Sequence, residues 1–171
     1  MKPIVPFLFA ILLFGCSSKK DFNPTAVSLA QPCDKNATCT ITVMPNKGLF
    51  IQADNSAKGS SLLYIIEDNP NKNVIRYKFS RTSKDNTQDA NYNEEVVFEL
   101  DKKVTAIHLS NEQLQSTKMI FGRFCFCDKA QIGLFKVQQG TLSIDAQHNG
   151  ELHFTIPEVP QVTQQIRFSL K

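Results

Sequence analysis

From residue 38 to the C-terminus apolar and polar residues alternate with a period of two, and no stretch repeats apolar residues at helical spacing over three turns. Successive side chains of an extended chain point to opposite faces, so this pattern builds strands with one buried and one wet face. Strands are expected near residues 38–44, 48–52, 62–67, 73–80, 94–100, 104–110, 119–127, 132–138, 141–146, 151–156 and 162–170, with a polar turn at most over 111–117. Many short strands broken by turn residues predict an all-β fold, an antiparallel β-sandwich of the immunoglobulin-like or transthyretin-like kind. At 171 residues and 42% hydrophobic, the chain has material for one such core rather than two.

Register can be argued in the last third. A two-residue turn at Gln139-Gly140 would set Val137 opposite Leu142 and Phe135 opposite Ile144, matching apolar faces. The next turn signal, Asn149-Gly150, would join an apolar face to a polar one if it were a two-residue turn. A three-residue loop over 148–150, with Gly150 left-handed, keeps Ile144 opposite Phe154 and Leu142 opposite Ile156. Pro157 and Pro160 then interrupt the meander, and the final strand, with Val162, Ile166, Phe168 and Leu170 on one face, is expected to cross to another sheet.

The N-terminus has a different character. Lys2 is followed by twelve uncharged, mostly apolar residues from Ile4 to Gly15. That is too short for a membrane-spanning helix, which needs about 20 residues, and has the proportions of a secretory leader. It ends in Leu13-Phe14-Gly15-Cys16, which resembles the lipobox of bacterial lipoproteins at Leu13, Gly15 and Cys16. The resemblance covers the leader alone. It implies cleavage before Cys16, a diacylglycerol on the Cys16 sulfur and a palmitate-type chain on its amino group. Several acyl chains together anchor a protein stably. Ser17, with no Asp at that position, resembles the outer-membrane sorting class, and Lys19-Lys20-Asp21 is not the acidic run of surface-exported lipoproteins. The expected location is therefore the outer membrane, on its periplasmic face rather than at the cell surface. Residues 1–15 are read as the leader, 16–32 as a lipidated flexible tether, because Pro24 and Pro32 discourage helix, and 33–171 as a single sandwich domain.

With Cys16 acylated, Cys33, Cys39, Cys125 and Cys127 remain, and four cysteines in an exported domain read as two disulfides. If 119–127 is one strand, Cys125 and Cys127 share a face with nearly parallel side chains, so each is expected to pair with Cys33 or Cys39. The competing reading makes Cys125-Phe126-Cys127 a thiol redox pair or a metal thiolate site. Nothing in the stretch resembles a helix N-terminus that would lower a thiol pKa, and His108, His148 and His153 are not at ligand spacing from it.

The composition carries no catalytic constellation. The net charge of +3 is spread along the chain, unlike the concentrated basic face of a nucleic-acid binder. No serine stands in a nucleophile motif, and Glu94 and Glu95, being adjacent, face opposite sides of a strand rather than converging on a substrate. Arg76 and Lys78 are expected to pair across strands with Glu95, Glu99 and Asp101. The most polar segment, 81–93, is long for a hairpin connection. Within it Asp89, Asn91 and Asn93 alternate, but the positions an EF-hand needs as Gly and terminal Glu hold Glu94 and Leu100, so no calcium loop is expected. Asp89, Asn91, Tyr92 and Asn93 are the candidate partner-facing residues. The expected function is a non-catalytic binding or structural component of an envelope assembly, reaching the membrane through its anchor and contacting a protein partner. No cofactor, metal or nucleic acid is expected. The alternatives are the thiol chemistry above or binding of a small lipid or glycan.

Overall fold

The computed structural model describes residues 23–53, 62–81, 91–102, 106–128 and 131–171. Cys16 and Asp89 lie outside them. The described chain is an all-β sandwich of two five-stranded antiparallel sheets. Its strands are β1 (Val27–Leu29), β2 (Thr38–Ala53), β3 (Leu62–Arg81), β4 (Tyr92–Asp101), β5 (Ile107–Ser110), β6 (Ile120–Phe124), β7 (Gly133–Lys136), β8 (Gln139–Ile144), β9 (Asn149–Thr155) and β10 (Gln165–Leu170). Sheet A has the order β1-β10-β9-β8-β5 and sheet B the order β2-β3-β4-β6-β7. The alternation does what the sequence implies. In β9, for example, Gly150, Leu152 and Phe154 are buried and the residues between them exposed. Phe98 meets Phe168 and Phe121 meets Phe154 across the gap between the sheets, with ring centroids 6.2 and 5.8 Å apart.

β2 and β3 unite what the alternation divides into four strands. Their register breaks once, where Pro45 pairs with Asn73 but Lys47 with Asp68. Asn46 takes a left-handed backbone there (φ 59°), and its N–H donates to Asn73 Oδ1 at 3.1 Å. Beyond the break the two strands form an arm that folds back over the outer face of sheet B. Leu49, fully buried, packs with Val74, Val97, Ile120 and Leu134 in a second small core, joined by Ile51, Leu62, Tyr64 and Ile66. β4 is thereby covered on both faces, and its residues from Glu94 to Leu100 are all buried.

Several expectations are corrected. Residues 132–138 and 141–146 do not form a hairpin: β7 pairs with β6 in sheet B, whereas β8 pairs with β9 and β5 in sheet A. The chain changes sheets at Val137, whose N–H bonds to Met119 O. Two strands facing each other across a sandwich show the same alternation as two strands side by side, so the pattern could not distinguish them. β8 and β9 pair Leu142 with Leu152 and Ile144 with Gly150, a longer loop than expected with the parity kept. His148, not Gly150, is left-handed (φ 65°). The last strand stays in the same sheet, β10 lying beside β9.

The tether assigned to 16–32 contains β1, which pairs with β10 through Val27–Leu170 and Leu29–Phe168. Segment 111–117 is a 3₁₀ helix with Leu114 and Thr117 buried, opened by a Ser110–Gln113 capping box. Finally, β6 ends at Phe124, short of the cysteines. In the bend that follows, side chains two apart converge, and Cys125 is bonded to Cys127 (Cα–Cα 5.3 Å) and Cys33 to Cys39 (Cα–Cα 5.6 Å), not across the two pairs.

Candidate functional site

The outer face of sheet B carries the arm over half its length. Val74, Val97, Ile120 and Leu134 lie beneath it, and the Tyr64 hydroxyl reaches Glu95 Oε1 at 3.1 Å. Past Glu95 the face is uncovered and forms a cleft of about 360 Å³, at the small end of the range for ligand sites, about 300–1,000 Å³. Strand register arranges the side chains of this area in two rows. One runs Thr38, Ser80, Asn93, Phe124 across β2, β3, β4 and β6; the next runs Thr40, Lys78, Glu95, Gly122.

The glycine in the second row makes room for the aromatic in the first: a Cβ at Gly122 would come within 2.8 Å of Phe124 Cε2. Ser80 Oγ donates to Asn93 Oδ1 at 2.6 Å, which leaves the amide N–H groups of Asn93 free of that bond. Glu95 is 9% exposed. Burial and then the Glu95 charge push the Tyr64 hydroxyl pKa up, so the phenol stays a donor to that carboxylate. The cleft thus offers hydroxyls, an amide, one ammonium, one largely buried carboxylate and one aromatic ring. This set can hold a polar ligand through hydrogen bonds.

The candidate partner residues divide accordingly. Asn93 lines the cleft and Asn91 is exposed. Tyr92 turns the other way, into a brace between the sheets. Its hydroxyl donates to Glu94, and Arg123 Nε donates to that hydroxyl at 3.2 Å with the guanidinium 5.3 Å over the ring. Burial first, and the bond to Glu94 second, push the Tyr92 pKa up to about 12. Glu94, 1% exposed, also accepts the N–H groups of Val162 and Thr163 at 2.6 and 2.7 Å, tying β4 to the chain entering β10. Glu94 and Glu95 do face opposite sides, as adjacency requires.

Charges pair differently from expectation. Glu99 is held by Lys118 (3.2 Å) and Lys72 (3.6 Å), and Lys72 also reaches Asp101 (2.9 Å). Arg81 bonds to Asp34 at 3.2 Å. His108 Nδ1 lies 2.8 Å from Ser143 Oγ, and His153 Nε2 lies 3.0 Å from Glu151 Oε1, both pairs exposed on sheet A. Among the described residues no group of three or more His, Cys, Asp or Glu side chains is placed to hold a metal ion.

The two disulfides stand in contrasting surroundings. Cys33 and Cys39 pack against the core, and Tyr77 OH donates to Cys39 Sγ at 3.3 Å. Cys125 and Cys127 flank Phe126, which is 85% exposed. Sequence reasoning found Asn93 and all four cysteines but missed the rest of the cleft. Its residues are ordinary outward positions on four strands, and only the register brings them into rows. Comparison with protein families, with curated proteins and with solved structures finds no match to the chain.

Proposed function

We propose that the protein is a lipid-anchored lipoprotein of the bacterial cell envelope, held through Cys16 at the periplasmic face of the outer membrane, that works by binding and not by catalysis. The observation that carries the binding half of this reading is the open cleft on sheet B, with its two rows of hydrogen-bonding side chains and Phe124 at its edge. The leader residues Leu13, Gly15 and Cys16 carry the anchoring half. A protein component of an envelope assembly is the partner, docking on the cleft and on the exposed Phe124 at its edge. The cleft's volume favours a second reading, a small polar ligand bound there on its own.

Two measurements test it. Intact mass spectrometry of the protein from its own membranes is expected to show loss of residues 1–15 and acyl chains on Cys16; an unmodified N-terminus overturns the anchor. A photo-crosslinking residue at Lys78, inside the cleft, is expected to give a discrete protein adduct in cells, whereas one at Ser143, on the outer face of sheet A, gives none. Adducts at Ser143 alone overturn the cleft. No adduct at Lys78, with a small molecule retained by the purified protein and lost on Asn93→Ala, turns the proposal to the second reading.

A further inference from the structure

We propose that the Cys125–Cys127 disulfide is an exchangeable bond through which this protein oxidises paired thiols on a partner protein, independently of the cleft and of the anchor. The cross-link spans a single residue. In the chain-entropy view a bridge stabilises by restricting the unfolded chain, and the restriction shrinks with the loop it closes. A bridge over one residue therefore does little for the fold. Its effect is to place two sulfurs side by side in a bend outside both sheets. Cys125 and Cys127 are half-buried and lie outside the strands, and Phe126 between them is 85% exposed. Accessible bridges of this kind are the labile ones.

The frame around the bend does not depend on the bridge. β6 is held by β4 on one side and β7 on the other. Arg123 Nη1 donates to Gln131 O at 2.9 Å, and Gln131 N–H to Asp128 O at 2.9 Å, bonds that do not involve the bridge. The bond can open and the bend persist. Cys33 and Cys39 are half-buried too, but they pack against the core and Cys39 accepts from the Tyr77 hydroxyl.

The exchange needs no other reactant. A partner thiolate attacks one sulfur, the Cys125–Cys127 bond breaks, and the other sulfur leaves as a thiolate and takes up a proton. The partner's second thiol, as thiolate, then attacks the mixed disulfide and releases the first cysteine. The partner's two thiols end as a disulfide, and Cys125 and Cys127 end as thiols, once per protein molecule. Phe126 gives the partner an apolar foothold between the reacting sulfurs.

The test uses the oxidised full-length protein, equilibrated in glutathione buffers of graded poise, acid-quenched and alkylated. Both disulfides are then quantified in the same sample by mass spectrometry, with near-ultraviolet circular dichroism as the measure of fold. Cys125–Cys127 is expected to be half-reduced at a ratio of squared reduced to oxidised glutathione at least about tenfold lower than Cys33–Cys39, with the spectrum unchanged. Opening of Cys33–Cys39 first, or of both together with loss of the spectrum, overturns the proposal. The Cys127→Ser variant, or Cys125→Ser should that one fail to fold, is expected to trap a mixed disulfide with glutathione. A remaining cysteine that forms none also overturns it. Phe126→Ser is expected to slow oxidation of a dithiol peptide with apolar flanks at least about threefold while leaving reaction with glutathione unchanged; equal slowing of both overturns the foothold.

Discussion

Asp145 organises the turn from β8 to β9 almost alone. Its Oδ1 accepts the N–H groups of Gln147 and Asn149 at 2.9 and 2.8 Å, its Oδ2 accepts Asn149 Nδ2 at 3.2 Å, and its carbonyl accepts His148 N–H at 3.0 Å. A side chain that mimics a backbone turn in this way is the habit of Asp. These bonds, the Asn149 N–H first and its side-chain amide next, hold the Asp145 carboxyl below the usual range. A lowered folded-state pKa means the ionised form is favoured by folding. That contribution is complete above the unfolded value of 3.8 and is lost as pH falls through the lower folded value. NMR titration should give Asp145 a midpoint below 3.8, and Asn149→Ala should move it up; an unchanged midpoint in the variant would assign the shift elsewhere. The turn also shows where dipeptide signals mislead. Asn149-Gly150 reads as a tight turn, yet Gly150 sits in β9, and a Cβ there would collide with the Phe168 ring. That glycine is needed for packing between neighbouring strands, which nothing local in the sequence reveals.

At the scale of elements, the arm of β2 and β3 rests on a buried carboxylate. Glu99, whose side chain is 2% exposed, accepts Leu49 N–H at 2.7 Å while Lys118 and Lys72 supply the countercharge. Lys118 Nζ also donates to Leu49 O. Burial pulls the Lys72 pKa down, but its pairing with Asp101 and Glu99 outweighs that and leaves it raised. Glu99→Gln keeps the shape and removes the charge. Hydrogen bonds to charged groups are worth about 1.5–3 kcal/mol. Because Lys118 is 44% and Lys72 24% exposed, both can rehydrate, and the expected cost is discounted to about 1–2 kcal/mol. Amide exchange should then accelerate at Leu49 and its neighbours in the arm more than at Leu152 in β9, and equal acceleration at both would mean the arm is not a separate unit.

The alternation in β2 and β3 was legible as strands. That the strands continue through Pro45 and bend onto their own sheet was not, because alternation marks faces and is silent about what covers the outer one. The one local sign is β4, where Glu-Val-Val-Phe-Glu-Leu at 95–100 breaks the alternation because both of its faces are buried. The same limit hid the cleft. Thr38, Thr40, Lys78 and Ser80 read as solvated outward positions until β3 sets them beside Asn93 and Glu95 of β4.

At the scale of the whole molecule, the first and last described strands join. The N–H groups of Thr25 and Ala26 bond to Lys171 O, Lys171 N–H returns to Ala26 O, and Ala30 N–H bonds to Arg167 O. Gln31 adds two side-chain bonds, to Gln165 O and from Arg167 N–H. Val27 and Leu29 pack on the core beside these bonds. A three-residue strand is too short to display alternation, so the sequence reads it as part of a tether. The consequence for the proposed anchor is geometric. If Cys16 carries the lipid, only the eight residues 17–24 separate it from Thr25 and the sandwich, a reach of at most about 30 Å, and the cleft is confined to a shell near the membrane. The boundary itself can be tested by comparing urea unfolding of residues 23–171 with that of residues 33–171. Burying a Val or Leu side chain fully is worth about 1.5–3 kcal/mol. Val27 and Leu29 are half-buried, so losing both with their hydrogen bonds should cost about 2–3 kcal/mol. The shorter chain should therefore unfold at a clearly lower urea concentration with a similar slope. Coincident midpoints would return residues 23–32 to the tether and restore its longer reach.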